Sequence, residues 1–186
     1  MLNQDEKEFL LNLAKRSVEY FLVNRAPLPI SSADISEQWG EETALLKSLG
    51  AFVTLEIDGK LRGCIGNLFA QGFLFEYIIL NAIAAGFKDP RFPPMRKDEL
   101  NCLAYEISIL GAMEKVTDLH TIQIGKHGLL VKNNLHQGIL LPQVALERKW
   151  DIDTFLKQTC LKAGLASDAH KHPETEIYYF SAEIIN

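Results

Sequence analysis

Two periodicities organise the chain. Leu10, Leu13, Ala14, Val18 and Phe21 recur at helical spacing over residues 5–23, and Phe75, Ile78, Ile79, Ala82 and Ala85 repeat the pattern further on, which predicts two long helices. Asp5 with Glu8 resembles a capping box for the first. The second must end by Lys88, because Asp89 precedes Pro90 and the residue before a proline is pushed out of the helical region. A Pro- and Ser-containing loop is expected from Ala26 to about Ser32, a short helix at 41–48, and a Pro-rich loop presenting Arg91 at 90–96. Period two takes over at Phe52 to Ile57, at Cys102 to Leu110 and at Ile177 to Ile184, each read as a strand. Ile122-Gln123-Ile124 and Leu129-Leu130-Val131 flank Gly125-Lys126-His127-Gly128 as an expected hairpin, followed by a short strand from Gly138 to Leu141. Pro142 can start a helix, and Asp151 can cap the next, whose face is Ile152, Phe155, Leu156, Thr159 and Ala163 and whose stop is Gly164. Hairpin-connected strands with helices beside them predict an α+β fold, a mainly antiparallel sheet flanked by helices.

The segment after Phe52–Ile57 is the densest in chemistry. Asp58-Gly59 and Leu61-Arg62-Gly63-Cys64-Ile65-Gly66 complete a hairpin with it. A two-residue loop would set Leu55 opposite Arg62, mixing apolar and charged side chains on one face. A three-residue loop with Gly59 in a bulge instead pairs Leu55 with Leu61 and Thr54 with Arg62, and one-sided burial favours that register. Arg62 and Cys64 then share the polar face, roughly 7 Å apart. Gly63 and Gly66 leave room for a ligand to approach the backbone.

Asp58-Gly59-Lys60-Leu61-Arg62-Gly63-Cys64-Ile65-Gly66 resembles the signature of the AMMECR-domain family. The likeness continues in order through Asn81-Ala82-Ile83-Ala84-Ala85, Lys88 to Pro94, Gly125 to Leu129, Leu140 to Ala145 and Thr159 to Leu165, covering nearly the whole chain. The resemblance implies a single AMMECR domain over residues 1–186, a larger α+β subdomain with a smaller lobe. It implies no established reaction, and the cofactor is unknown. It does imply an association with a Memo-like protein and a radical S-adenosylmethionine protein, the AmmeMemoRadiSam system.

Composition narrows the setting. No apolar run approaches the ~20 residues of a membrane helix, and Met1-Leu2-Asn3-Gln4-Asp5-Glu6 has no basic-then-apolar leader, so a cytoplasmic protein is expected. Cys64, Cys102 and Cys160 are odd in number and widely spaced, against a disulfide framework. The net charge of −5 opposes binding to long nucleic acid or to a membrane surface. From Lys60 to Lys97, however, Lys60, Arg62, Lys88, Arg91, Arg96 and Lys97 face only Glu76 and Asp89. That excess suits a small anionic ligand; chance clustering on a solvated surface is the alternative.

Two readings of function follow, of which the first is preferred and the second is the alternative. In the first, Cys64 is a nucleophile or thiol donor, Arg62 and Arg91 clamp an anionic metabolite beside Gly63 and Gly66, and His127 or Glu106 carries a proton. In the second, the same surface is a non-catalytic module for a partner protein or a modified nucleotide. An enzyme requires an activated thiol in a deep pocket; a binding module requires only a shallow face. Each residue also has a structural reading: Cys64 as core packing, His127 as a turn histidine in water, Arg62 paired with Glu106 and Arg91 with Asp89. Cys102 and Cys160 are expected in the core. His170 and His172 lack a third ligand nearby, so no metal site is expected.

Overall fold

The computed structural model describes residues 2–69 and 71–186. The chain forms an α+β fold and divides into two compact units, one comprising residues 1–109 with 184–186 and the other Leu110–Glu183.

The first unit opens with α1, Gln4–Asn24. Its capping box uses Asn3 and Glu6 rather than Asp5 and Glu8, with Glu6 N–H donating to Asn3 Oδ1 at 2.8 Å and Asn3 N–H donating back to Glu6 Oε2 at 2.9 Å. A short helix, α2 at Ser32–Trp39, lies where no element was expected; Ser31 caps it, and Ile35 is its buried residue. The helix expected at 41–48 is only a 3₁₀ turn, Ala44–Leu46. Strands β1 (Ala51–Ile57), β2 (Lys60–Asn67) and β3 (Leu103–Leu110) pair antiparallel in the order β2-β1-β3. Helix α3, Leu74–Phe87, ends at Lys88 as the Asp89-Pro90 pair requires. It is tied to β1 by buried Asn81, whose amide donates to Ala51 O at 3.0 Å. Leu10, Leu13 and Val18 of α1, Phe75, Ile78 and Ala82 of α3, and Val53, Leu55 and Ile107 of the sheet close one core, joined by Ile185. Fully burying side chains of this size is worth about 1.5–3 kcal/mol each.

In the second unit β4 (Glu114–Lys115), β5 (His127–Asn133), β6 (His136–Leu140) and β7 (Glu176–Ile185) are antiparallel. Residues 122–131 do not form the expected hairpin: Ile122 to Lys126 is non-strand, and the hairpin runs from β5 to β6 through Asn134, which takes φ +51°. Gly128 is a strand residue of β5, and a Cβ there would lie 2.4 Å from the Phe180 ring, which is why the position is glycine. Helices α4, Pro142–Glu147, and α5, Ile152–Lys162, begin at Pro142 and at the Asp151 cap as predicted. Phe155, Leu156 and Cys160 of α5 pack with Leu129, Val131 and Ile177 in the unit's own core.

Candidate functional site

The β1–β2 turn decides the local geometry. Asp58 and Gly59 both take positive φ, +52° and +69°, the two-residue turn that Asp-Gly favours. Ile57 therefore faces Lys60 and Glu56 faces Leu61, overturning the three-residue register. The conflict foreseen for this turn is relieved by a bulge: the register shifts between Leu55 and Glu56, so that Leu55 meets Gly63 and Arg62 is left without a strand partner. Beyond the bulge Thr54 meets Cys64 and Phe52 meets Gly66.

The two glycines admit the chain itself rather than a ligand. A Cβ on Gly63 would stand 2.0 Å from the Ala85 carbonyl oxygen of α3, and one on Gly66 would stand 2.3 Å from the Phe52 ring. Gly63 thus lets α3 press onto β2, and Gly66 lets Phe52 lie across the strand.

Arg62, released from the ladder by the bulge, turns to Glu99 in the 3₁₀ segment Lys97–Cys102. Its Nε donates to Glu99 Oε1 at 2.6 Å, and its Nη2 donates to Glu99 Oε2 at 3.1 Å and to Pro93 O at 3.0 Å. The expected partner, Glu106, is not the one it takes. Arg62 is buried, and its guanidinium holds the Glu99 carboxyl below the ordinary carboxylate range against the opposing effect of burial. Arg91 does pair with Asp89. Its Nε and Nη2 fork onto the carboxylate at 2.9 and 2.6 Å, while Cys64 N–H donates to Asp89 Oδ2 at 2.9 Å and Arg91 Nη2 also reaches Cys64 O at 3.2 Å. Asp89, its side chain 1% exposed, knots the Pro-rich loop to β2, and its hydrogen bonds from Arg91 drive its pKa far below normal. Phe92 lies between the two arginines, its ring 5.9 Å from the guanidinium carbon of Arg62 and 5.6 Å from that of Arg91. The basic excess of 60–97 is thus partly answered from just beyond it, where Asp98 pairs with Arg96 and Glu99 with Arg62.

Cys64 and Glu106 do come together on one face, in the cross-strand row Cys64–Thr54–Glu106. Thr54 Oγ1 donates to Cys64 Sγ at 3.3 Å. Burial pushes the thiol pKa up, the Thr54 hydroxyl and the Arg91 charge pull it down, and Asp89 and Glu106 push it up again; the net shift is upward. The thiol is therefore protonated at neutral pH, the opposite of activation. The cation acting on it is Arg91, where the strand spacing pointed to Arg62.

His127 belongs to the second unit, whereas Cys64 belongs to the first. It is buried, not a turn residue in water. Its ring stacks on Tyr179 with centroids 4.5 Å apart, and Gln123 N–H donates to Nδ1 at 3.3 Å. Burial and the neighbouring Lys126 lower its pKa, keeping it neutral. Cys160 is in the core, but Cys102 is exposed, contrary to the expected packing role. Cavities of about 440 and 360 Å³ open elsewhere, and no candidate residue lines either. Among the described residues no His, Cys, Asp and Glu cluster is suited to hold a metal, and no helix is long and apolar enough to cross a membrane.

Thr54, Asp89 and Glu99 complete the site that Cys64 and the arginines begin. Thr54 was legible as a same-face neighbour of Cys64; Glu99, 37 positions from Arg62 on a segment without periodicity, carried no sequence signal.

The sequence profile of the AMMECR1 family matches residues 11–185. A protein of Methanosarcina acetivorans is 41% identical over 191 residues, covering 99% of this chain and 92% of that protein. A Methanosarcina barkeri protein is 44% identical over 176 residues, covering 91% and 84%. The crystal structure of an uncharacterized protein from Pyrococcus horikoshii superimposes with a TM-score of 0.88 at 34% identity, covering 98% of this chain and 92% of the other.

Proposed function

The chain belongs to the AMMECR1 family, and we propose that it acts as a binding module rather than as an enzyme. The observation that carries this reading is that the candidate catalytic machinery is occupied by the chain's own groups. The Cys64 thiol is pushed towards its neutral form, the Arg62 fork is closed on Glu99, and the Arg91 fork is closed on Asp89. What is left at the surface is Arg91, its side chain 48% exposed, with the half-buried Phe92 against it and the half-buried Cys64–Thr54–Glu106 row. A guanidinium seated by an aromatic ring and neutralised on one side suits a protein surface that brings a carboxylate and an apolar contact.

A Memo-like or a radical S-adenosylmethionine protein is the partner this reading favours, on the family resemblance. The cytoplasm is the setting it favours, supported by three free thiols. Long nucleic acid fits poorly, because the net charge of −5 repels it.

Calorimetric titration against each of these two partner proteins, taken from an organism that carries this chain, tests the proposal. Phe92→Ala, and Arg91→Ala in protein that thermal melting shows to be folded, should each weaken binding by about tenfold or more, the range of interface anchors, whereas Cys64→Ser, a near-isosteric change in the same row, should weaken it far less. Loss of a thiol-dependent turnover in Cys64→Ser, with binding intact, would restore the enzyme reading.

A further inference from the structure

The first unit's sheet ends on β2 and the second unit's on β6, and the chain treats these two edges differently. On β2 the outward main chain is covered, because Cys64 N–H donates to Asp89 and Cys64 O accepts from Arg91. Lys60 and Arg62 add charge there, a further device against pairing with another chain. β6 has neither protection. None of its five residues, His136 to Leu140, is Asp, Glu, Lys, Arg or Pro, and its register with β5 runs without a bulge. The turn decides which of its groups point outward. Only Asn134 and Leu135 separate the strands, so Asn133 and His136 close the ladder and bonding alternates from that pair. His136, Gly138 and Leu140 bond to β5, whereas Gln137 and Ile139 turn their N–H and C=O groups away from it. Among the described residues nothing answers those groups. Gln137 is exposed, as is Leu135 at the turn, 98%.

Main-chain donors and acceptors left open at strand spacing are met by another strand. We propose that β6 is a self-association edge, through which two copies of this chain pair antiparallel about a twofold axis at Ile139. That axis sets Ile139 against Ile139 of the second copy and Gln137 against Leu141, which is still extended, so every outward group of Gln137 and Ile139 is bonded. The two isoleucines make the central apolar contact, and no like charges meet on the paired strands. An axis through Gly138 would instead bring two α5 ends over one spot, since a Cβ on Gly138 already stands 2.3 Å from Ala163 N. The Ile139 axis sets the two glycines diagonally, roughly 7–8 Å apart. Neither cavity is lined by β6, so nothing on this edge reads the side chains of a foreign segment. So short an edge buries less than a permanent interface does, and the pairing is weak and concentration-dependent. It lies in the second unit and stands apart from the surface proposed around Arg91.

Sedimentation velocity of the purified full chain from about 1 µM to about 1 mM, the range of weak specific association, tests it. The sedimentation coefficient should rise from that of one chain to that of two across the series. Backbone amide exchange followed by NMR over the same series should show Gln137 and Ile139 slowing by about tenfold or more, with Gly138 slow throughout. Gln137→Pro removes one outward N–H and leaves the β5 ladder bonds in place, and Ile139→Lys sets two like charges across the axis. Each should raise the dissociation constant by about tenfold or more. Val23→Lys, at an apolar residue 77% exposed in the first unit, should leave it unchanged. Thermal melting checks the folding of each variant, and the wild-type exchange series alone decides if a variant does not fold. A chain that sediments as one copy at every concentration would leave the edge to a strand of another protein and overturn the proposal. Association that leaves the Gln137 and Ile139 amides exchanging freely, or that persists undiminished in both β6 variants, would overturn it too.

Discussion

Strands β2 and β6 invert each other. Around β2 the sequence gathers a thiol, two arginines and two glycines within a short span, yet the fold turns most of them on itself. Glu99 takes Arg62, Asp89 takes Arg91, α3 takes Gly63 and Phe52 takes Gly66. Along β6 the sequence carries no Asp, Glu, Lys or Arg and forms no motif, yet the outer main chain of Gln137 and Ile139 is left open. Residue type shows what chemistry a segment is able to do. Whether that capacity is left for a ligand depends on partners supplied from elsewhere in the chain.

If β2 is held by internal partners, its removal from those partners should be felt first as lost stability. Asp89→Ala strips the Cys64 and Arg91 amides of their acceptor, while the half-exposed Arg91 guanidinium can turn to water, and urea unfolding should show a loss of about 3 kcal/mol, chiefly from the unsatisfied amides. The same carboxyl makes the first unit acid-sensitive. Its folded pKa lies below the unfolded value of 3.8, so its contribution is complete above that pH and is lost as pH falls towards the folded value. Gly63→Ala drives a Cβ against the backbone of α3 and should cost about 3 kcal/mol. Gly59→Ala, at φ +69° with no atom within 4 Å, should cost only about 1 kcal/mol of backbone strain. Equal losses at the two glycines would break the comparison. Glu99→Gln should cost about 2 kcal/mol by leaving Arg62 half-paired. The smallest effect falls in the second unit. His127 titrates below 6.5 when folded, so the unfolded chain takes up the proton first, and stability should be full above about pH 6.5 and decline as pH falls below it. His127→Gln should flatten that decline.

Much of the architecture was legible because it rests on burial alone. The alternation of Phe52–Ile57 and the apolar stripe of α3 fix which face goes inward, and Pro90, Pro142 and Asp151 set helix ends by local sterics and capping. Helix α2 was missed because a single buried residue, Ile35, gives no period, although Ser31 with Asp34 was a start signal. The β2 register was misread because the bulge was placed at Gly59 in the loop, whereas it lies within the hairpin between Leu55 and Glu56. The second-unit hairpin was misplaced because Gly128 was taken for a turn, when it is a strand position pressed by Phe180. In the site, Cys64 and Glu106 share a face through Thr54, a relation that follows from strand period once the strands are paired. Arg62–Glu99 was not readable, because the irregular segment carrying Glu99 is placed only by the completed fold.

Alkylation of the native protein with iodoacetamide at neutral pH, resolved by mass spectrometry of partly labelled chains, tests directly whether the chemistry around β2 is held by the chain's own groups. Cys102 is exposed, Cys64 is half-buried with its thiol pKa raised, and Cys160 is buried. Cys102 should therefore label first, and Cys64 should label slowly until denaturant is added. Labelling of Cys64 ahead of Cys102 in the folded protein would contradict the account and mark an activated thiol.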